Sequence, residues 1–230
     1  FFVCEKQWQQ HQAAPIQIDL LKRRVTYLQE QLANFGITLN VINAPNFGDC
    51  ESELLSFCET HDIQHIIANT EYELNEVNRD KAVLAQCDKR SITFTLYEGD
   101  LIAPVGSIKN QSNEMYKVFT PFKRAWLKQY QDTHFSLARW PLEQNPIKIE
   151  KSQYLESDGS SDKWPVDDET LLTVVDNFIC DKLTSYDDQR DIPSIKGTSG
   201  LSPYLALGIV SPKQLLINIQ QRYPDILTTS

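Results

Sequence analysis

Apolar and polar positions alternate with two different periods along the first half of the chain. Residues 1–4 form a short apolar run of the kind that makes a buried strand. Leu21, Val25, Leu28, Leu32 and Phe35 then recur at spacings of four, three, four and three, which lines one face of a helix. Gly36 is placed to close that helix. Residues 37–42 predict a strand, and Leu54, Leu55, Phe57 and Cys58 predict a second helix. A short apolar strand over 65–68, a third helix over 75–87 and an alternating strand over 92–97 follow. This alternation predicts an α/β fold, a mostly parallel Rossmann-like sheet with flanking helices and right-handed crossovers.

The pattern changes after residue 97. Residues 120–130 read as a helix with Phe122, Trp126 and Tyr130 on one side, started by Thr120-Pro121. Residues 141–170 are rich in Ser, Asp, Glu and Pro and read as a long exposed linker. A helix over about 168–183 comes next. Ser211-Pro212-Lys213-Gln214 is a strong helix start: a Ser cap, Pro at the first position and Gln to complete a capping box. The expected organisation is an α/β domain over 1–140, a linker over 141–167 and the start of an all-helical domain over 168–230.

At 230 residues, one large or two small domains fit. No run approaches the roughly 18 apolar residues of a membrane span. No signal peptide is visible and the chain begins at Phe1, so a fragment is expected. The five cysteines are odd in number, widely spaced and without Cys-x-x-Cys, which suits a reduced, cytosolic chain better than a disulfide scaffold. The net charge is −9, and residues 141–191 hold 13 acidic against 5 basic side chains, a net of −8. That balance is no basic nucleic-acid footprint.

Candidate chemistry gathers in three places. Gly197-Thr198-Ser199-Gly200-Leu201-Ser202 sets two glycines around two hydroxyls before an apolar run. It suits a turn whose amides and hydroxyls hold a phosphate, and equally an ordinary helix cap. Asn75-Glu76 opens a helix just beyond a strand, where open α/β sheets bind ligands. The pair can clamp the amino and N–H edge of a heterocycle, or serve as capping residues. Tyr186 and Arg190 lie upstream of the glycine turn, the first an aromatic face, the second a phosphate fork or a partner for a neighbouring Asp. His61 and His65 have a metal-ligand spacing, but a helix end between them makes the rings diverge. No nucleophile elbow, P-loop or dinucleotide fingerprint occurs. The aromatics of residues 114–123 suit packing at a domain junction.

Read in order, four segments resemble the DNA photolyase/cryptochrome family, most closely bacterial cyclobutane-dimer photolyases with a folate antenna. They are residues 72–80 (YELNEVNRD), 115–123 (MYKVFTPFK), 186–191 (YDDQRD) and 197–211. The resemblance implies an α/β antenna domain, a long linker and a helical FAD domain. It implies that Asn75 and Glu76 contact 5,10-methenyltetrahydrofolate. It further implies that Tyr186, Thr198, Ser199, Gly200, Leu201 and Ser202 contact FAD, and that Arg190 contacts UV-damaged DNA containing pyrimidine dimers. The implied activity is light-driven dimer splitting by a deoxyribodipyrimidine photolyase. The implied protein is a cytoplasmic bacterial monomer without membrane contact, nucleoid-associated when bound to DNA. A cryptochrome-like photoreceptor, or a stand-alone nucleotide-binding α/β module, is the alternative. Relative to the family, the first strand and most of the flavin domain are missing. The chain is therefore expected to leave strand edges unpaired, to lack the catalytic residues and to be inactive by itself. Gly200 stands where Arg is frequent, which removes a charge but keeps the turn. Trp8, Trp126, Trp140 and Trp164 carry no expected redox role.

Overall fold

The apolar start of the chain forms β1 (Phe2–Val3), which runs into the short helix α1 (Glu5–Gln10). The first amphipathic period becomes α2 (Pro15–Asn34), with Pro15 at its first position and Leu20, Val25 and Ala33 on its buried face. Its end is a double-bonded turn. The Gly36 N–H donates to the Ala33 carbonyl and the Ile37 N–H to the Leu32 carbonyl, both at 3.0 Å, with Gly36 at φ +71°. Ile37 is thereby committed to closing the helix. The strand expected over 37–42 shrinks to β2 (Ile42–Asn43).

Helix α3 (Phe47–Thr60), strand β3 (His65–Asn69), helix α4 (Leu74–Lys89) and strand β4 (Thr93–Tyr97) follow the predicted alternation closely. β1 pairs with β2 and β3 with β4, both parallel, with Phe2 opposite Ile42 and His65 opposite Thr93. Among the described residues the strands form these two pairs and not one continuous sheet. This computed structural model describes residues 1–99, 101–131, 133, 135 and 144–228. Trp140 and the first linker residues, 141–143, lie outside the described residues.

Among the described residues, apolar clusters hold these elements together. Leu55, Val83 and Cys87 join Ile66 and Phe94, so that α3 and α4 cover one face of the β3–β4 pair. Val3, Val25 and Leu155 join Trp8 and Leu21. Each buried aliphatic side chain contributes about 1.5–3 kcal/mol.

Leu155 belongs to the stretch read as an exposed linker, which is largely exposed but anchored. Residues 144–168 lie along α2 and are bonded to it. The Asp19 carboxylate accepts from the Ser157 hydroxyl (2.7 Å), the Asp158 N–H (2.9 Å), and the Ser161 N–H (2.9 Å) and hydroxyl (2.5 Å). Arg23 donates to the Ser161 and Trp164 carbonyls, and Arg24 to the Val166 carbonyl and Asp168. At the other end of α2 the Ile147 N–H donates to the Ala33 carbonyl. Asp19 is 2 % and Ser161 0 % exposed. Burial would raise the Asp19 pKa, but the bonds from Ser161, Ser157 and the two backbone amides outweigh it and hold the carboxyl well below its usual range.

The chain divides into two compact units, Phe1–Tyr97 with Trp140–Thr170, and Glu98–Arg139 with Leu171–Ser230. The second unit contains α5 (Phe119–Tyr130), whose cap residue is Val118, so Pro121 sits in its first turn and Thr120 is already helical. Helix α6 (Asp168–Asn177) crosses from the first unit into the second and widens into a π-helical turn at Phe178–Lys182. Helices α7 (Tyr186–Gln189), α8 (Ser202–Ala206) and α9 (Pro212–Arg222) complete it. Ser211 and Pro212 start α9 as expected, but the capping box is not made. The Gln214 amide turns along the helix and donates to Asn218 at 2.7 Å. Among the described residues, no helix is long and apolar enough to cross a membrane.

Candidate functional site

Asn75 and Glu76 lie in the first turn of α4, directly after the loop leaving the carboxyl end of β3. The Thr70 N–H donates to the Tyr97 carbonyl at 2.9 Å, so the ends of β3 and β4 stay together where this loop departs. Asn75 is exposed and Glu76 half-buried. Among the described residues, neither side chain is engaged in a hydrogen bond or an ion pair. Glu76 is the third residue of the helix, where the amide ends of the first turn favour a carboxylate. The capping role considered for the pair is not taken up, because the cap position is Glu73 and no side chain caps the helix.

Arg79, which the sequence alone did not single out, braces this corner. Its guanidinium donates from Nε and Nη2 to Asp80 Oδ1 at 2.9 and 2.8 Å, and from Nη2 to Glu71 at 3.2 Å. It also lies 5.6 Å from the Phe47 ring centroid. One side chain thus ties the loop, α4 and the start of α3 together. The sequence signal available was its position three residues beyond Glu76, next to the buried Asp80.

In the second unit, Tyr186 opens α7 and meets Phe178 edge-on at 5.9 Å and 89°. The Arg190 guanidinium lies 5.9 Å from the Tyr186 ring centroid and pairs with Asp187 at 3.3 Å and Asp191 at 3.6 Å. The reading of Arg190 as paired to a neighbouring Asp therefore describes this structure. The pairs are solvent-exposed, and such pairs are weak enough to exchange for a phosphate.

Gly197 is buried, and a Cβ there would come within 2.6 Å of the Gln189 Cβ. Only glycine lets the turn press this closely on the end of α7. Gly200 has φ +67° and open space where a Cβ would point. Between them the Ser199 hydroxyl accepts from the Leu201 N–H at 3.2 Å, which shapes the turn locally. Leu201 and Tyr204 anchor the turn, 1 % and 2 % exposed, while Thr198, Gly200 and Ser202 face solvent. The glycine turn packs on the end of α7 through Gly197 and presents the Thr198 and Ser202 hydroxyls to solvent. The third pair weighed, His61 and His65, does diverge: His61 rests on Phe57 and His65 bonds to Thr95.

A profile described as DNA photolyase matches residues 1–143. The chain is 31 % identical over 228 residues to a deoxyribodipyrimidine photo-lyase of Vibrio cholerae, covering 95 % of this chain and 48 % of that protein. It is 30 % identical over 232 residues to that of Escherichia coli K12, covering 99 % and 49 %. Among solved structures, a class III photolyase from Agrobacterium tumefaciens superposes with a TM-score of 0.74 at 23 % identity, over 94 % of this chain and 48 % of that one. An archaeal photolyase from Sulfolobus tokodaii, solved with two FAD molecules, gives 0.57 at 18 % identity, over 99 % and 50 %. The chain spans about half the length of the curated relatives it matches. With more than half of its residues matched by the profile, and its parallel α/β elements superposing on those of a photolyase, the chain belongs to the DNA photolyase family.

Proposed function

We propose that this chain is the amino-terminal half of a light-driven deoxyribodipyrimidine photolyase acting on UV-damaged DNA, with an antenna site in its first unit and the beginning of a flavin cradle in its second. The observation that carries the reading is the pairing of two differently built sites in one chain, each with the chemistry its cofactor needs. At the β3–α4 corner, an amide and a carboxylate stand uncommitted beside a braced loop, which suits the amino and ring N–H edge of 5,10-methenyltetrahydrofolate. At α7–α8, exposed hydroxyls and amides around Gly200 suit a pyrophosphate, and Tyr186 offers a ring face. Bound flavin supplies one-electron, light-driven chemistry, and the antenna supplies excitation energy. This chain's share is to bind and orient. Asn75 and Glu76 hold the pterin edge, Thr198 to Ser202 hold phosphate oxygens, and Arg190 exchanges its Asp partners for a DNA phosphate.

The reading includes a strand ahead of Phe1 lying between β1 and β3, and a helical remainder after Ser230 that completes the flavin and dimer sites. Repair is preferred to photoreception because the curated relatives are named photo-lyases. The reading also takes the whole protein to be a cytoplasmic monomer, bound to the nucleoid when engaged on DNA. The test is Glu76→Ala in the full-length protein. It should abolish near-ultraviolet antenna absorbance, leave flavin absorbance intact and leave dimer reversal under blue light dependent on direct flavin excitation. Unchanged antenna absorbance removes Glu76 from the site. Absence of any light-dependent dimer reversal in the full-length parent overturns the repair reading.

A further inference from the structure

Two thiols meet at the carboxyl ends of β1 and β2. Cys4 directly follows β1 and caps α1, and Cys50 lies in the first turn of α3. Their sulfurs are 3.6 Å apart, and the residues are 5 % and 3 % exposed, packed with Ala44 and Phe2. A disulfide needs about 2.05 Å between sulfurs, so closure requires roughly 1.5 Å of approach. The corner is asymmetric. The hydrogen bond with Cys50 lowers the Cys4 pKa against the effect of burial, with Arg79 lowering it further and Asp49 opposing. Cys50 is pushed up by the contact with Cys4 and by burial. The Cys50 thiol also donates to the Asn46 carbonyl at 3.7 Å, which keeps it protonated and suits it to resolve while Cys4 acts as the nucleophile. Elsewhere, burial pushes the thiols of Cys58 and Cys87 up, and Cys180 is exposed.

We propose that Cys4 and Cys50 are an oxidative modification site, closing to a reversible disulfide when a hydroperoxide enters this corner. In the first step the Cys4 thiolate attacks one peroxide oxygen. An S–O bond forms, the O–O bond breaks, and hydroxide leaves, giving the sulfenic acid. In the second, the Cys50 sulfur attacks the Cys4 sulfur. The S–S bond forms, the S–O bond breaks, and the departing hydroxide takes the Cys50 proton as water. Two thiols and one hydrogen peroxide become one disulfide and two waters, with two electrons passing from sulfur to oxygen. A dithiol reverses the change by exchange. The product joins the β1–α1 junction covalently to α3, at the carboxyl ends of β1 and β2.

The experiment treats the chain, with exposed Cys180 changed to Ser, with hydrogen peroxide, then denatures and alkylates it. Intact mass and peptide mapping read the result. Two of the four remaining thiols should escape alkylation, and the intact mass read before alkylation should fall by about 2 Da. One cross-linked peptide pair should contain residues 4 and 50, and dithiothreitol should restore all four thiols. Cys50→Ala should stop at a Cys4 sulfenic acid that dimedone traps. The wild-type map stands by itself if that variant fails to fold. Full alkylation of Cys4 and Cys50 after peroxide, or a cross-link joining Cys58 to Cys87 instead, overturns the proposal.

Discussion

Asp19→Asn offers a sharp test of how the first unit is held together. The change keeps size and shape, yet replaces one carboxylate oxygen by an NH₂ group. In the native protein each oxygen accepts two bonds, one from a backbone N–H and one from a serine hydroxyl. Asparagine satisfies one such pair and presents donors to the other. The serine hydroxyl can rotate to accept, but the backbone N–H cannot. With the amide oxygen on the buried Ser161 pair, the part-buried Asp158 N–H is left unsatisfied at about 1–3 kcal/mol, and the remaining bonds lose their charge at about 1 kcal/mol more. The expected loss is therefore about 3 kcal/mol, or roughly 6–12 °C in the thermal midpoint of a unit this size. Circular dichroism melts of both chains at pH 7 measure it. The pH dependence supplies a second reading. Because the folded carboxyl titrates below its usual range, the unfolded state binds more protons near pH 4. The carboxylate's contribution is fully present above about pH 5 and is lost as the pH falls through the unfolded value toward the lower folded one. The wild-type advantage should be constant between pH 7 and pH 5 and shrink below about pH 4. A variant within about 0.5 kcal/mol of wild type at pH 7, or a gap that persists unchanged at pH 3, refutes the reasoning.

Gly197→Ala should destabilise the second unit by about 2 kcal/mol through the clash with Gln189, whereas Gly200→Ala should cost only about 1 kcal/mol of backbone strain. Urea midpoints in the reverse order would contradict the roles assigned to the two glycines. Arg79→Ala leaves Asp80, only 8 % exposed, without its guanidinium and should cost about 2–3 kcal/mol. Arg79→Lys should recover less than half of that, since an ammonium cannot reproduce the fork to Asp80 and Glu71, and equal stability of Lys and Arg would refute the bracing role.

The elements visible in the sequence are those with strong apolar contrast. α4, β3 and β4 appear within a few residues of their predicted spans, and α2 and α3 contain the predicted apolar positions but start six and seven residues earlier, because one face of each element is apolar and at least half-buried. β2 was over-read because an apolar residue at a helix end has two possible uses, and Ile37 is spent closing α2. The anchoring of residues 144–168 was invisible for a different reason. Asp19, Arg23 and Arg24 look like ordinary surface positions on a helix, and their partners lie 138 to 144 residues away. Hydrophobic patterning is silent about polar contacts at such range. Around the candidate sites, Asn75, Glu76 and the glycine turn were legible because strand ends and glycines have local grammar. Arg79 and the Cys4–Cys50 pair were not, because three-dimensional convergence alone gives them meaning.

The clasp of Asp19 by residues 157–161 also carries a consequence for synthesis on the ribosome. The carboxylate emerges 142 residues before its last partner, Ser161. At roughly 5–20 residues per second, that interval is on the order of 10 s. During it, α2 carries a bare face whose cover has not yet been made. The chain also leaves the first unit after Tyr97 and re-enters it only at Trp140, so closure must span an intervening piece of the second unit. Such long-range closure is intrinsically slow. The nascent chain therefore passes through a window of exposure to chaperones and proteases, set by the distance between two serines and an aspartate.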